Sequence, residues 1–195
     1  MKILVFDNYD SFTYNLVHVV EKITGTPVEV FRNDQISLDE VERFDKIILS
    51  PGPGVPAEAG LLLPLIKRYA PTKSMLGVCL GHQAIGEVFG GTLVNLDKVF
   101  HGLSTPITVN TRRVKAANDV FGTMPATIQV GRYHSWVISE KGFPEALEIT
   151  ARDGEGQLMA LRHKTYDVQG VQFHPESVLT PEGETIMRNW LEIPA

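Results

Sequence analysis

The chain has 195 residues, 43% hydrophobic and 21% charged, a balance that excludes a disordered or fibrous chain and allows one sizeable buried core. A formal charge of -5 argues against a nucleic-acid-binding surface, and the short basic clusters Lys67, Arg68 and Arg112, Arg113, Lys115 read as solvated faces. One cysteine excludes an intrachain disulfide, "MKILVFDNYD" turns polar too early for a signal peptide, and no apolar run reaches transmembrane length, so a cytoplasmic protein with no nucleic-acid or membrane partner is expected.

In chain order, short apolar runs alternate with helical spacing. Strands are expected at 2–6, 28–31, 46–50 and 74–79, with helices over about 11–23, 59–69 and from Leu80 to Phe89. Strands that are nearly unbroken apolar runs, separated by helices, point to a parallel sheet covered on both faces. Beyond Gly90 and Gly91 the pattern becomes closely spaced strands at 106–110, 127–130, 135–139, 146–151, 157–162 and 168–173, closed by a helix over about 181–191. These read as antiparallel additions to the α/β core. No repeat, low-complexity tract or long linker divides the chain, so one domain over 1–195 is expected.

The only thiol lies in "GVCLGHQ" at 77–83, where an apolar strand gives way to a helix. In parallel sheets ligands gather at that edge, and helix N-termini there present free N–H groups and the positive end of a dipole. Such a field favours the nucleophilic thiolate. Gly77 and Gly81 fit a sharp turn that pushes Cys79 outward, as in a nucleophile elbow. A buried structural cysteine is the alternative.

A cysteine nucleophile needs a base, and there are six histidines to sort. His18 falls within the first helix and His163 in a polar strand, both ordinary positions. His82, one helical turn from Cys79, reads as structural. His101 and His134 follow strand-like segments and are placed to line a site. In "GVQFHPESV" a strand ends at His174, Pro175 stiffens the turn, and alternation by two sets Glu176 on the same side to hold the imidazole. A Cys-His-Glu triad is therefore available. No CxxC, HxxxH or HExxH spacing supports a metal site.

A tetrahedral intermediate also needs donors for its oxyanion. The N–H of Leu80, directly after the nucleophile, is one. "SPGPGVP" at 50–56 follows a strand and opens at the same edge, where Gly52 and Gly54 let backbone amides approach a substrate. Without a following Gly-Lys-Ser/Thr it is not a Walker A loop.

"GVCLGHQ", "SPGPGVP" and "GVQFHPES", in this order, resemble the class I, or triad, glutamine amidotransferases, and they span most of the chain. "DNYDSFTYN" at 7–15, "KVFHG" at 98–102 and "RYHSW" at 132–136 look like the glutaminase components of anthranilate synthase and aminodeoxychorismate synthase. The resemblance implies a flavodoxin-like fold, a mostly parallel central sheet with helices on both faces and an antiparallel extension. It implies Cys79 as nucleophile, His174 as base and Glu176 as its orienter, with Gly52 and Leu80 as the oxyanion hole. Contacts to L-glutamine would come from Gly52, Pro53, Gly54, Gln83, Ser135 and Trp136, with no cofactor in this chain. Family members commonly carry Leu where Trp136 stands, a change tolerable if the contact there is made by backbone. Ammonia would pass to a chorismate-converting synthase subunit docked at the edge bearing the site, near Tyr9, Asp10, Ser11, Phe12, His101 and Gly102. The function implied is the glutaminase subunit of anthranilate synthase; the alternative is that of aminodeoxychorismate synthase, or a subunit shared by both. From a different class, a stand-alone γ-glutamyl cysteine hydrolase would use the same triad, whereas a silent regulatory subunit would lack one of its members.

Overall fold

The computed structural model describes residues 1–110, 118–122 and 124–195, so the cluster Arg112, Arg113, Lys115 lies outside the described residues. In chain order the elements are β1 (Ile3–Asp7), α1 (Thr13–Thr24), β2 (Glu29–Arg32), α2 (Leu38–Val41), β3 (Lys46–Leu49), a 3-10 turn (Pro56–Glu58), α3 (Leu62–Tyr69), β4 (Ser74–Val78) and α4 (Leu80–Val88). There follow β5 (Leu93–Asn95), β6 (Leu103–Val109), β7 (Thr127–Arg132), β8 (Trp136–Ile138), β9 (Leu147–Asp153), β10 (Leu158–His163), β11 (Val168–Val171) and α5 (Gly183–Glu192).

Nine strands form one sheet in the order β2-β1-β3-β4-β11-β10-β9-β6-β7, while β5 and β8 pair separately. The first five in this order are mutually parallel. From β11 onward every neighbour is antiparallel. β1, β3, β4 and β11 are buried at every position, as apolar strands covered on both faces should be. Alternate residues supply two cores. Val5, Ile48, Leu76 and Val78 meet Leu16, Val20, Ile186 and Trp190 of α1 and α5 on one face. Leu4, Phe6, Ile47 and Leu49 meet Leu62, Ile66, Ala84 and Ile85 of α3 and α4 on the other. Among the described residues no helix is long and apolar enough to cross a membrane.

Several expectations are corrected. The last strand, read with the antiparallel additions, belongs to the parallel half, because β11 inserts beside β4 with Val168 opposite Met75 and Val171 opposite Val78. It also stops at Val171, ahead of a bend. Helix α1 begins at Thr13, since the Asp10 carboxylate accepts the Phe12 N–H at 2.8 Å and organises the turn before the helix. The short α2 carries a capping box between Ser37 and Glu40, but one turn of helix leaves no readable periodicity.

Helix α4 crosses the sheet at very close range. A Cβ on Gly77 would stand 2.5 Å from the Gly81 carbonyl carbon, and one on Gly81 would stand 2.4 Å from the Leu49 carbonyl oxygen. Both glycines are required by backbone meeting backbone. Gly81→Ala is therefore expected to destabilise the chain by about 1–3 kcal/mol, the usual cost of overpacking, read as a lower urea midpoint.

Candidate active site

Cys79 joins β4 to α4 with φ 52° and ψ -100°, a conformation that costs a non-glycine residue on the order of 1–3 kcal/mol. It is held there from both sides: its N–H donates to the Val171 carbonyl at 2.9 Å, and its carbonyl accepts the Gln83 N–H at 3.0 Å. The side chain is 6% exposed. Leu80, as the first residue of α4, has an N–H with no partner within the helix, so a donor adjoins the sulfur.

Past the end of β11 the chain turns and delivers His174 and Glu176 to the same place. Their contact, His174 Nδ1 to Glu176 Oε1, is 2.6 Å, with the two side chains 3% and 0% exposed. The contact is made across a turn and not by strand alternation. Burial alone would push the His174 pKa down, but the nearby Cys79 sulfur, and the Glu176 carboxylate through its hydrogen bond and charge, raise it to about 10. His174 is thus protonated at neutral pH. Its Nε2 feels the sulfur without a hydrogen bond to any described side chain, the looser geometry common in such pairs before substrate closes them. Tyr133 at 4.8 Å and Phe12 at 5.8 Å, between ring centres, pack edgewise on the imidazole and keep water from it.

A cavity of about 220 Å³ opens beside Cys79, lined by Gly52, Gly54, Gln83, Tyr133, His134, Ser135 and Trp136. The 50–54 loop reaches it because Asn8, just after β1, donates its N–H to Ser50 Oγ and its amide to the Ser50 carbonyl, both at 2.8 Å. Gly52 packs so tightly that an added Cβ would lie 2.5 Å from the Asn8 carbonyl. The opposite wall is the 132–136 segment, which hydrogen-bonds along its backbone to Leu96, Phe100 and Gly102. Here the Trp136 carbonyl accepts from Gln83 Nε2 and His134 Nδ1, each at 3.0 Å. Trp136 lines both this cavity and an apolar groove of about 860 Å³ bordered by Val55, Leu63, Val88 and Leu93.

Of the residues picked out from the sequence, Cys79, Gly52, Gly54, Gln83, Ser135 and Trp136 line the cavity, and the His174–Glu176 pair adjoins Cys79. Pro53 does not line the cavity. His134 does, and burial together with the Arg132 charge pushes its pKa down to about 3, so it stays neutral. His82 is fully buried, its pKa driven to about 3 by desolvation, and His18 is exposed. Sequence reasoning missed Tyr133 and Gln172, although both sit inside motifs it had quoted. Tyr9, Ser11, His101 and Gly102 are exposed, with Asp10 and Phe12 partly so, and Phe12 and His101 both face Tyr133. No group of three or more His, Cys, Asp or Glu among the described residues has metal-holding geometry.

A buried thiol on a strained turn, an imidazolium and an orienting carboxylate form a constellation for attack on a carbonyl carbon. The sequence model of "Glutamine amidotransferase class-I" matches residues 4–193. The chain belongs to this family. Among relatives of the amidotransferase, anthranilate synthase component 2 of Thermus thermophilus is 46% identical, the match covering 100% of this chain and 93% of that one. Aminodeoxychorismate synthase component 2 of Klebsiella aerogenes is 42% identical, covering 97% and 98%. The chain spans only 32% of the bifunctional protein TrpGD of Thermotoga maritima, at 44% identity. A crystal structure from Thermoplasma acidophilum, attributed to a component of GMP synthase, superposes with a TM-score of 0.84 at 28% identity over 98% of this amidotransferase and 92% of that chain.

The buried histidines His174 and His134 should titrate far apart. By NMR, His174 is expected to lose its proton near pH 10, and Glu176→Gln, which removes a charge that favours the imidazolium, should move that midpoint down. His134 should remain neutral down to about pH 3. A His174 midpoint near the ordinary histidine value would refute the assigned field.

Proposed function

We propose that this chain is the glutaminase subunit of anthranilate synthase, hydrolysing L-glutamine and supplying ammonia to a chorismate-converting synthase subunit. The observation that carries the reading is the meeting of the sole thiol, on its elbow at a glutamine-sized cavity, with the buried His174–Glu176 dyad. Its narrower part is supported by a near full-length relative named as a component of anthranilate synthase. The Klebsiella relative supports a second reading, the aminodeoxychorismate enzyme, or one chain serving both.

In this mechanism the Cys79 thiolate attacks the side-chain amide carbon of glutamine, and the N–H groups of Leu80 and Gly52 hold the oxyanion. His174 gives its Nε2 proton to the amide nitrogen, the C–N bond breaks and ammonia leaves. His174 then takes a proton from water, whose oxygen attacks the thioester; the C–S bond breaks, giving glutamate and restoring the thiolate and the imidazolium. Glu176 keeps the imidazole oriented throughout. Glutamine is held by the backbone of Gly52, Gly54, Ser135 and Trp136, and by Gln83.

The synthase subunit would dock on Tyr9, Asp10, Ser11, Phe12, His101 and Gly102. Phe12 and His101 lie 5.3 and 6.5 Å from Tyr133, and Tyr133 rests on His174, so pressure on this surface bears on the base. A displacement of about 1 Å can change a rate on the order of a hundredfold, enough to keep hydrolysis slow until the partner is bound.

Cys79→Ser is expected to abolish glutamine-dependent synthesis in the reconstituted complex and leave ammonia-dependent synthesis nearly intact. Retained glutamine-dependent turnover would overturn the mechanism. Glu176→Gln should cost less glutaminase activity than His174→Ala, because orienting a base is worth less than transferring the proton. Replacing the exposed Ser11 and His101 with Trp should weaken complex formation and activation together, measured as glutamate release with and without the synthase. Full activity in the isolated wild-type chain would sink the coupling. Identifying the synthase that co-purifies from the native cell, and whether it makes anthranilate or aminodeoxychorismate, decides between the two readings.

A further inference from the structure

The side chain of Gln172 is fully buried beside the nucleophile and has no part in the mechanism above. Its Nε2 stands 3.6 Å from Cys79 Sγ, and its Oε1 accepts from Gln83 Nε2 at 3.2 Å. Gln83 Nε2 also donates to the Trp136 carbonyl, which accepts from His134 Nδ1 as well. His134 Nε2 in turn accepts from Arg132 Nε at 3.1 Å, and Arg132 is fixed by its 2.8 Å ion pair with the buried Asp153 carboxylate.

The direction of each bond follows from groups that can only donate or only accept, and the two arms of the network meet at the Trp136 carbonyl. A guanidinium can only donate, so His134 Nε2 must accept and the neutral ring must carry its proton on Nδ1. A carbonyl can only accept, so the Gln83 atom facing Trp136 must be the amide nitrogen. That nitrogen then forces Gln172 to present its oxygen to Gln83 and its NH2 to the sulfur. An amide that would otherwise have two equivalent orientations is left with one.

We propose that Gln172 is a further catalytic residue, an N–H donor held on the nucleophile sulfur by Gln83, whose own amide is oriented by the Trp136 carbonyl. The donor stabilises charge on Sγ and aims the sulfur at the cavity. The proposal rests on Cys79 being the nucleophile, as proposed above.

Because the chain has one cysteine, alkylation by iodoacetamide reads Cys79 alone. Gln172→Met, which keeps length and removes the donor, is expected to slow alkylation and lower kcat for glutamine hydrolysis by about tenfold, the low end for a hydrogen bond to a charged acceptor. KM should stay within about twofold, since the lost contact is to sulfur and not to substrate. Gln172→Glu, which satisfies Gln83 but turns a second carboxylate oxygen on the sulfur, should be slower still. Wild-type alkylation and kcat in Gln172→Met would overturn the proposal. Cys79→Ser separates the two readings: if it retains glutaminase activity, the nucleophile assignment fails; if it is inactive while Gln172→Met is unaffected, only the role of Gln172 fails. Should the Gln172 variants fold poorly, Cys79→Ala in otherwise unaltered, glutamine-15N-labelled protein provides the test. The Gln172 side-chain amide signals should move when the sulfur is removed, and unmoved signals overturn the proposal.

Discussion

The backbone of Cys79 is the constraint on which the rest of this site depends. A positive φ at a residue with a Cβ is unfavourable and persists only where its surroundings over-determine it. Here the surroundings are backbone on every side. β11 takes the cysteine N–H, α4 takes its carbonyl, and Gly77, Gly81 and Leu49 leave no space in which the turn could relax. The rigidity that fixes the sulfur is thus assembled from three parallel strands and one helix, and the same contacts that hold the elbow set the height at which α4 crosses the sheet.

On that fixed point the protein builds two imidazoles of opposite character. His174 faces an anion-rich neighbourhood and holds its proton to about pH 10; His134 faces Arg132 and gives its proton up until about pH 3. Both rings are almost wholly buried, so desolvation disfavours charge on each, and the sign of the neighbouring charge decides the outcome. One ring is thereby suited to moving a proton, and the other to holding a carbonyl in place. Half-buried aromatic rings, Phe12 and Tyr133, pack on His174 and shield it further from water.

Much of this was legible in the sequence, and the reasons differ by element. The parallel strands announce themselves because burial on both faces demands unbroken apolar runs, and the elbow because only glycine fits between strand and helix so closely packed. The candidate triad was legible as residue types, Cys79 directly after a strand and His174 and Glu176 on the turn beyond another. What periodicity does not encode is strand order: 168–171 looks like its antiparallel neighbours, and only the space beside β4 makes it parallel. Gln172 and Tyr133 were hidden for another reason. A glutamine or tyrosine within a motif carries no sign of which way it points, and the hydrogen-bond chain that fixes Gln172 joins residues far apart along the chain.

The place of β11 between β4 and β10 bears on how the protein is made. Met75 pairs with Val168, so during synthesis β4 leaves the ribosome with one edge open and must wait for nearly half the chain before its partner arrives. Non-local pairing of this kind is slow, and an unpaired apolar strand invites association with other chains. The same order of events has a protective side. The thiol emerges first, whereas the imidazole, the carboxylate and the carbonyl that accepts the cysteine N–H arrive only with residues 171–176. A nascent chain therefore carries an unassisted sulfur until that stretch has been made and folded beside β4.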